Sequence, residues 1–236
     1  MPSALARGFS SRSAGAPVLH VILAGAEVEL APEDIAGHPA VRTTAKEQNR
    51  KGTEVLLDQN MHAAAIRQLP DGERRGRPDI LHYCLLVLLE SPLNKEGRLK
   101  VLIHTRNDEL VNIRADTRLP RGEARFQGLL SKVLRDGASQ DKSPLLWSDG
   151  VRTPAQVLAE CKGPVVRLDE TGQAMTPAAL ARLAVGGDLT VVLGAFPAGT
   201  FSADWLKAAP TAASIFPQAL NAWAVASEMV AAFRSG

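Results

Sequence analysis

Residues 189–200 read LTVVLGAFPAGT, an apolar, β-branched run that passes directly into a loop containing glycine and proline. Unbroken runs of this kind belong to strands covered on both faces, as in a parallel sheet flanked by helices. A glycine-containing loop at a strand's carboxyl end is also where α/β sheets hold ligands. This loop, Gly194 to Gly199, is neither a P-loop nor GxGxxG, because no Lys-Ser/Thr follows to grip nucleotide phosphates and magnesium. Taken alone it leaves two readings open, a ligand loop and an ordinary turn.

Outward from this stretch the last third of the chain alternates. A strand over residues 165–168, a helix over 177–183, the strand at 189–195 and a long helix over 220–233 imply a parallel α/β sheet. Residues 214–220 (SIFPQAL) form a second loop, before the last helix, whose amides and carbonyls can serve an adenine edge. Towards the N-terminus, residues 19–30 (LHVILAGAEVEL) read as a buried first strand and 54–58 (EVLLD) as a second. Pro78 then opens a largely buried helix with Ile80, Leu81, Cys84, Leu85, Leu88 and Leu89 at helical spacing. Residues 99–105 and 109–114 are short β segments around Arg106-Asn107-Asp108, a tight hairpin that brings in antiparallel pairing. After Pro120, the spacing of Phe126, Leu129, Leu130 and Val133 marks an amphipathic helix closing near Gly137. Residues 139–148 are polar and read as a loop, the weakest junction in one domain spanning residues 18–236.

The bulk numbers exclude several classes. With 236 residues, 45 % hydrophobic and 22 % charged, the chain can bury a sizeable core. Its longest apolar run, residues 80–89, is far short of the roughly 20 residues that span a bilayer, so no membrane segment is expected. Cys84 and Cys161 form no CxxC, which argues against a disulfide framework or a zinc site and suits a reducing cytoplasm. His20, His38, His62, His82 and His104 show neither HxH nor HExxH spacing, so no metal site is expected. GxSxG is absent as well, and hydrolase chemistry has no support. Residues 1–17 (MPSALARGFSSRSAGAP) read as an unstructured extension, their Ser, Ala and Arg content without acids leaving a transit peptide as the other reading.

A net charge of +2 is too mild to argue nucleic-acid binding, so placement decides. Arg114, Arg118, Arg121 and Arg125 recur at spacings of four, three and four, and Pro120 makes them a loop-to-helix corner rather than one helical face. Guanidinium groups grip phosphate bidentately and stack on bases, which suits a structured RNA loop. Asp116 and Glu123 lie among them, so a solvated charged face stays open on spacing alone. Upstream, residues 71–79 (DGERRGRPD) crowd Arg74, Arg75 and Arg77 into a surface loop. Asp79 there can cap the following helix or hold the Arg77 guanidinium by a two-point contact.

The motifs RGRPDI (residues 75–80), SPLNKEG (91–97), IHT (103–105) and TRLPR (117–121) occur in this order, followed by LGAFPAGTF (193–201) and SIFPQALNAWAVASE (214–228). Together they resemble the ribosome-biogenesis pseudouridine N1-methyltransferases of small-subunit rRNA, of the SPOUT class. The resemblance covers residues 18–236, with only 137–165 poorly matched. It implies an α/β trefoil-knotted domain with a mainly parallel sheet flanked by helices and a β-hairpin excursion. It also implies a homodimer that binds S-adenosylmethionine, methylates N1 of a pseudouridine in a small-subunit rRNA hairpin loop, and works beside ribosomal proteins of the small subunit. By resemblance, Arg77, Arg118, Arg121 and Arg125 contact RNA and Asp79 orients Arg77. On the cofactor side Gly194 and Gly199 match the first loop, and Ile215, Phe216, Pro217, Gln218, Ala219 and Leu220 the second. Asp169 aligns loosely with an upstream cofactor contact. Phe216 stands where the family usually has tyrosine, Gln218 where archaeal members often carry a basic residue, and His62 lacks the paired histidine often found there. No residue is identified as the catalytic base. A non-catalytic RNA-binding assembly factor is the alternative activity.

Overall fold

The computed structural model describes residues 16–140, 142–184 and 187–235, so the proposed extension at 1–17 lies almost wholly outside the described residues. The strands are β1 (Leu19–Ala26), β2 (Leu99–Thr105), β3 (Glu109–Ile113), β4 (Leu146–Val151), β5 (Val165–Ala174), β6 (Leu189–Gly194) and β7 (Ala212–Ser214). They form one seven-stranded sheet in the order β4-β3-β2-β1-β6-β5-β7. The run from β2 to β7 is parallel, and β3 and β4 add antiparallel strands at one edge.

The central position of β1 explains its continuous apolar sequence. Leu19, Val21 and Leu23 face a core shared with α4 (Pro78–Glu90), α6 (Glu123–Asp136), α8 (Pro177–Ala181) and α10 (Ala222–Ser235). Ile22 and Ala24 face a second core with α7 (Pro154–Ala159) and α9 (Ala203–Ala208), where Trp205 is 2 % exposed. Helices therefore cover both sheet faces, as parallel strands require. A third, smaller core joins α1 (Glu33–Ala36), α2 (Pro39–Glu47) and α3 (Gln59–Ile66) through Ile35, Val41, Leu57 and Ile66. A short helix α5 (Pro92–Lys95) follows α4.

Three local expectations are corrected. Residues 54–58 are not a strand of the sheet: a 3-10 turn spans Gly52–Glu54, and Leu56 makes only an isolated antiparallel bridge to Leu30. Their amides and carbonyls are satisfied by the chain just after β1, through Ala31 N to Val55 O and Leu57 N to Glu29 O, while Val55 and Leu57 fill the small core. Residues 139–148 are not wholly a loop, because β4 begins at buried Leu146 and extends the hairpin excursion to three antiparallel strands. Ser139 Oγ secures that entry by accepting from the amides of Leu145 and Leu146. Finally α10 starts at Ala222 rather than at 220, which leaves all of residues 215–220 as loop.

Candidate functional site

The parallel strands β5, β6 and β7 end at one edge of the sheet, and the loops after them enclose a cavity of about 660 Å³. That size suits a drug-sized ligand. β5 is interrupted where residues 169–172 bulge out of its pairing with β7, so Asp169, Glu170 and Thr171 line the cavity. The β6 loop contributes Gly194 and residues 196–201, and the β7 loop contributes Ile215, Phe216, Gln218, Ala219 and Leu220. Every cofactor residue expected from sequence thus lines this one cavity except Pro217, which stands in the same loop outside the lining.

Glycine is required in the β6 loop by contact and by conformation. A Cβ on Gly194 would lie 2.6 Å from the Phe196 ring, and Gly199 has φ +86° with Arg74 Nη1 2.9 Å from where its Cβ would be. Phe196 packs edge-on against Phe201 at 5.3 Å and folds the loop back over the strand end. Leu193, Ile215 and Val225 give the cavity apolar wall, and Ser214 Oγ donates to Phe216 O at 2.8 Å to shape the second loop. Asp169 supplies a carboxylate. Burial pushes its pKa up, but bonds from the Thr171 hydroxyl (2.7 Å) and amide (2.9 Å) and from Arg167 outweigh this and hold it below the ordinary value. A slot with apolar walls and the carboxyl side chains of Asp169 and Glu170 in its lining fits an adenosyl group bearing a sulfonium cation.

The arginines expected to contact RNA stand outside the cavity lining, Arg77 half-buried and the others exposed. Arg77 precedes α4, its amide donating to Glu27 O at the end of β1. Its guanidinium grips Asp79 at 2.8 and 2.7 Å, which raises the Arg77 pKa chiefly through that bond. Asp79 therefore holds the guanidinium rather than capping the helix. Arg118, Arg121 and Arg125 are exposed and have no side-chain hydrogen bond or ion pair among the described residues. The acids that lie among them in sequence bond elsewhere, Asp116 to Arg114 at 2.9 and 2.5 Å and Glu123 to the Gln127 amide at 3.3 Å.

Two histidines shape this surface. His82, 2 % exposed, stacks on Phe126 at 4.3 Å and bonds Pro120 O at 2.8 Å, fixing the TRLPR corner to α4. His62 Nδ1 accepts from the Asp58 amide at 3.0 Å, and Asp58 in turn accepts from Gln127 of α6 at 2.6 Å. The sequence places His82 within an apolar helix as a core or hydrogen-bonded residue rather than a base, as it is, but names no partner for it, and it gives His62 no such role. Apolar surroundings and a lone histidine carry no signal for the carbonyl or amide it will meet.

A family profile described as EMG1/NEP1 methyltransferase matches residues 21–234. The ribosomal RNA small subunit methyltransferase Nep1 of Thermococcus kodakarensis is 42 % identical over 221 residues, covering 92 % of this chain and 98 % of the relative. Nep1 of Thermococcus onnurineus is 40 % identical over 218 residues, with the same coverage. The crystal structure of Archaeoglobus fulgidus Nep1 bound to S-adenosylhomocysteine superposes with a TM-score of 0.81 at 30 % identity, over 93 % of this chain and 98 % of that one. The chain belongs to the EMG1/NEP1 methyltransferase family.

Proposed function

We propose that this chain is an S-adenosylmethionine-dependent methyltransferase of small-subunit rRNA, acting on N1 of a pseudouridine in a hairpin loop. The observation that carries this reading is the cavity at the ends of β5, β6 and β7, lined by both glycine-containing and backbone-rich loops and by the Asp169 carboxylate. The family relatives act on small-subunit rRNA, and one was solved with the demethylated cofactor. The cofactor supplies an electrophilic methyl group; the chain supplies position. Arg118, Arg121 and Arg125 present uncompensated charge to the phosphates of a folded loop, and Arg77, locked by Asp79, adds a guanidinium of fixed direction. Holding reactants about 3–3.5 Å apart can remove roughly 7–11 kcal/mol of barrier. A target in a hairpin loop leaves its stack at lower cost than a paired base.

The trefoil threading belongs to the same reading, since it would gather the loops after β5, β6 and β7 around one cavity. So does a homodimer. Tyr83 (46 % exposed) is apolar surface beside Trp223, whose ring it meets edge-on at 5.2 Å, and Phe216 (49 %) and Leu220 (39 %) are exposed in the loop before α10. No helix among the described residues is long and apolar enough to cross a membrane, and a cytoplasmic place of work alongside ribosomal proteins completes the proposal.

Calorimetry with S-adenosylmethionine and methyl transfer to matched hairpins carrying pseudouridine or uridine test it. Binding with transfer to the pseudouridine hairpin alone is expected. No binding at millimolar cofactor overturns the enzyme reading, and binding without transfer to either hairpin leaves an RNA-binding assembly factor.

A further inference from the structure

Arg74 belongs to neither the cofactor lining nor the exposed arginines, yet it touches the neighbourhood of both. Its guanidinium carbon lies 4.6 Å from the centroid of the Phe196 ring, its Nη1 donates to Thr200 O at 3.3 Å, and its Nε is 3.3 Å from Glu27 Oε1. Glu27 is 3 % exposed at the end of β1 and is also held by Arg106, so the acid is a fixed anchor rather than a mobile partner. Gly199 leaves the space that the guanidinium occupies, since a Cβ there would meet Nη1 at 2.9 Å. Phe196 in turn fills the space left by Gly194, and it packs 3.2 Å from the Cβ position of Gly25, itself at φ +62°. The β6 loop is thus clamped from outside by one side chain that reads its ring, its carbonyl and its glycine together. That side chain sits three residues before Arg77, whose amide is bound to the carbonyl of the same Glu27.

We propose that Arg74 is a positioning residue for the cofactor: it holds the 194–200 loop in its binding shape from the segment that also delivers Arg77 to the RNA face. The assignment rests on the reading that the cavity takes the cofactor. A half-buried cation over an aromatic ring and a bond to one carbonyl are individually weak, but both act on a loop whose alternative is to open into solvent. Loss of the clamp leaves Glu27 paired with Arg106, so the buried acid is not orphaned and the fold survives the change.

The test is calorimetry with S-adenosylhomocysteine on the full chain, beside hairpin RNA binding over a salt series and amide exchange of residues 194–201. Arg74→Ala should weaken S-adenosylhomocysteine binding about tenfold and speed exchange across the loop, with the RNA salt slope unchanged. Arg74→Lys, which keeps a cation over Phe196 beside Glu27, should recover most of the loss and also serves if the alanine variant does not fold. Cofactor affinity within twofold of wild type in both variants overturns the proposal. A salt slope that falls by about one in Arg74→Ala also overturns it, because Arg74 would then be a phosphate contact. A wild-type chain that binds no S-adenosylhomocysteine removes the cofactor reading and this assignment together, whereas a binding wild type with an equally binding Arg74→Ala removes only the assignment.

Discussion

Arg75 and Arg106 on one side, and Arg118, Arg121 and Arg125 on the other, are the same side chain in opposite electrostatic circumstances. Arg75 is 9 % exposed and grips Glu29 with two bonds of 2.6 Å, while Arg106 reaches Glu27 and lies 3.5 Å from Glu29. These guanidinium groups neutralise buried acids in the chain just after β1. Arg118, Arg121 and Arg125 have no such partner among the described residues, and their charge faces outward. What separates a structural arginine from one available to a ligand here is therefore whether it neutralises a buried acid, not its spacing in the chain. Both kinds occur within the DGERRGRPD segment itself, where Arg75 is neutralised inside and Arg77 is held by Asp79 at the surface.

The comparison breaks most visibly at Glu29. Removing one partner of a buried pair strands the other's charge, which costs about 3–5 kcal/mol. Glu29→Ala should lower the urea-unfolding free energy by that order. A loss no larger than that of a surface substitution would mean that Arg75 escapes to water and is not structural. Next in size is Asp79→Ala, which frees the Arg77 guanidinium to wander. Hairpin affinity should fall roughly tenfold, about 1.4 kcal/mol, with little change in unfolding midpoint. An unchanged hairpin affinity would make the Arg77–Asp79 pair a helix-start feature and nothing more.

Arg118→Ala and Arg121→Ala sharpen the other half. Each should weaken hairpin binding several-fold and reduce the slope of log affinity against log salt by about 0.7–1, as loss of one phosphate contact does. Arg114→Ala is the internal control, because its guanidinium is already spent on Asp116 and on Ser143 at 2.7 Å. A salt slope that responds equally to all three would show that ion pairing does not sort these residues.

The same distinction marks what could be read from sequence. Runs such as residues 189–193 announce a strand covered on both sides because burial on two faces leaves no polar alternation, and the central pairing of β6 between β1 and β5 follows from it. EVLLD carries the same apolar signal but pairs outside the sheet, since nothing in five residues says which backbone will satisfy theirs. β4 was hidden behind polar Ser139–Ser148 because it is an edge strand with only Leu146 fully buried. For the arginines, spacing left surface and site open; motif order resembled a family and named Arg77, Arg118, Arg121 and Arg125. Which acids neutralise which cations is long-range geometry: Arg75 and Glu29 are far apart in the chain, and no periodicity links them. Sequence alone assigns Arg74 no role for the same reason, since its partners Glu27, Phe196 and Thr200 are brought to it by the fold.

The smallest effect separates the face from its frame. Arginines stay charged throughout the accessible range, so the salt slope of RNA binding should not change between about pH 5.5 and 8. His62 behaves otherwise. Burial lowers its pKa ahead of the opposing pull of Asp58, and its Nδ1 accepts from the Asp58 amide while Nε2 meets Thr44 Oγ1 at 3.0 Å. A proton on Nδ1 would confront an N–H, so the folded chain resists protonation more than the unfolded one does. The unfolded state then binds more protons below its own value near 6.5, and stability falls as the pH drops from there towards the lower folded pKa. His20 adds in the same direction, its pKa also lowered by burial. Urea midpoints should accordingly decline between about pH 7.5 and 5.5, and less steeply in His62→Gln, which cannot titrate. Because His62 steadies Asp58, which receives Gln127 of the helix bearing Arg125, acidification should loosen the platform of the arginines before it alters their charge. A salt slope that drops over this range while the urea midpoint holds steady would reverse the assignment, placing a titrating group among the RNA contacts and the permanent charges in the frame.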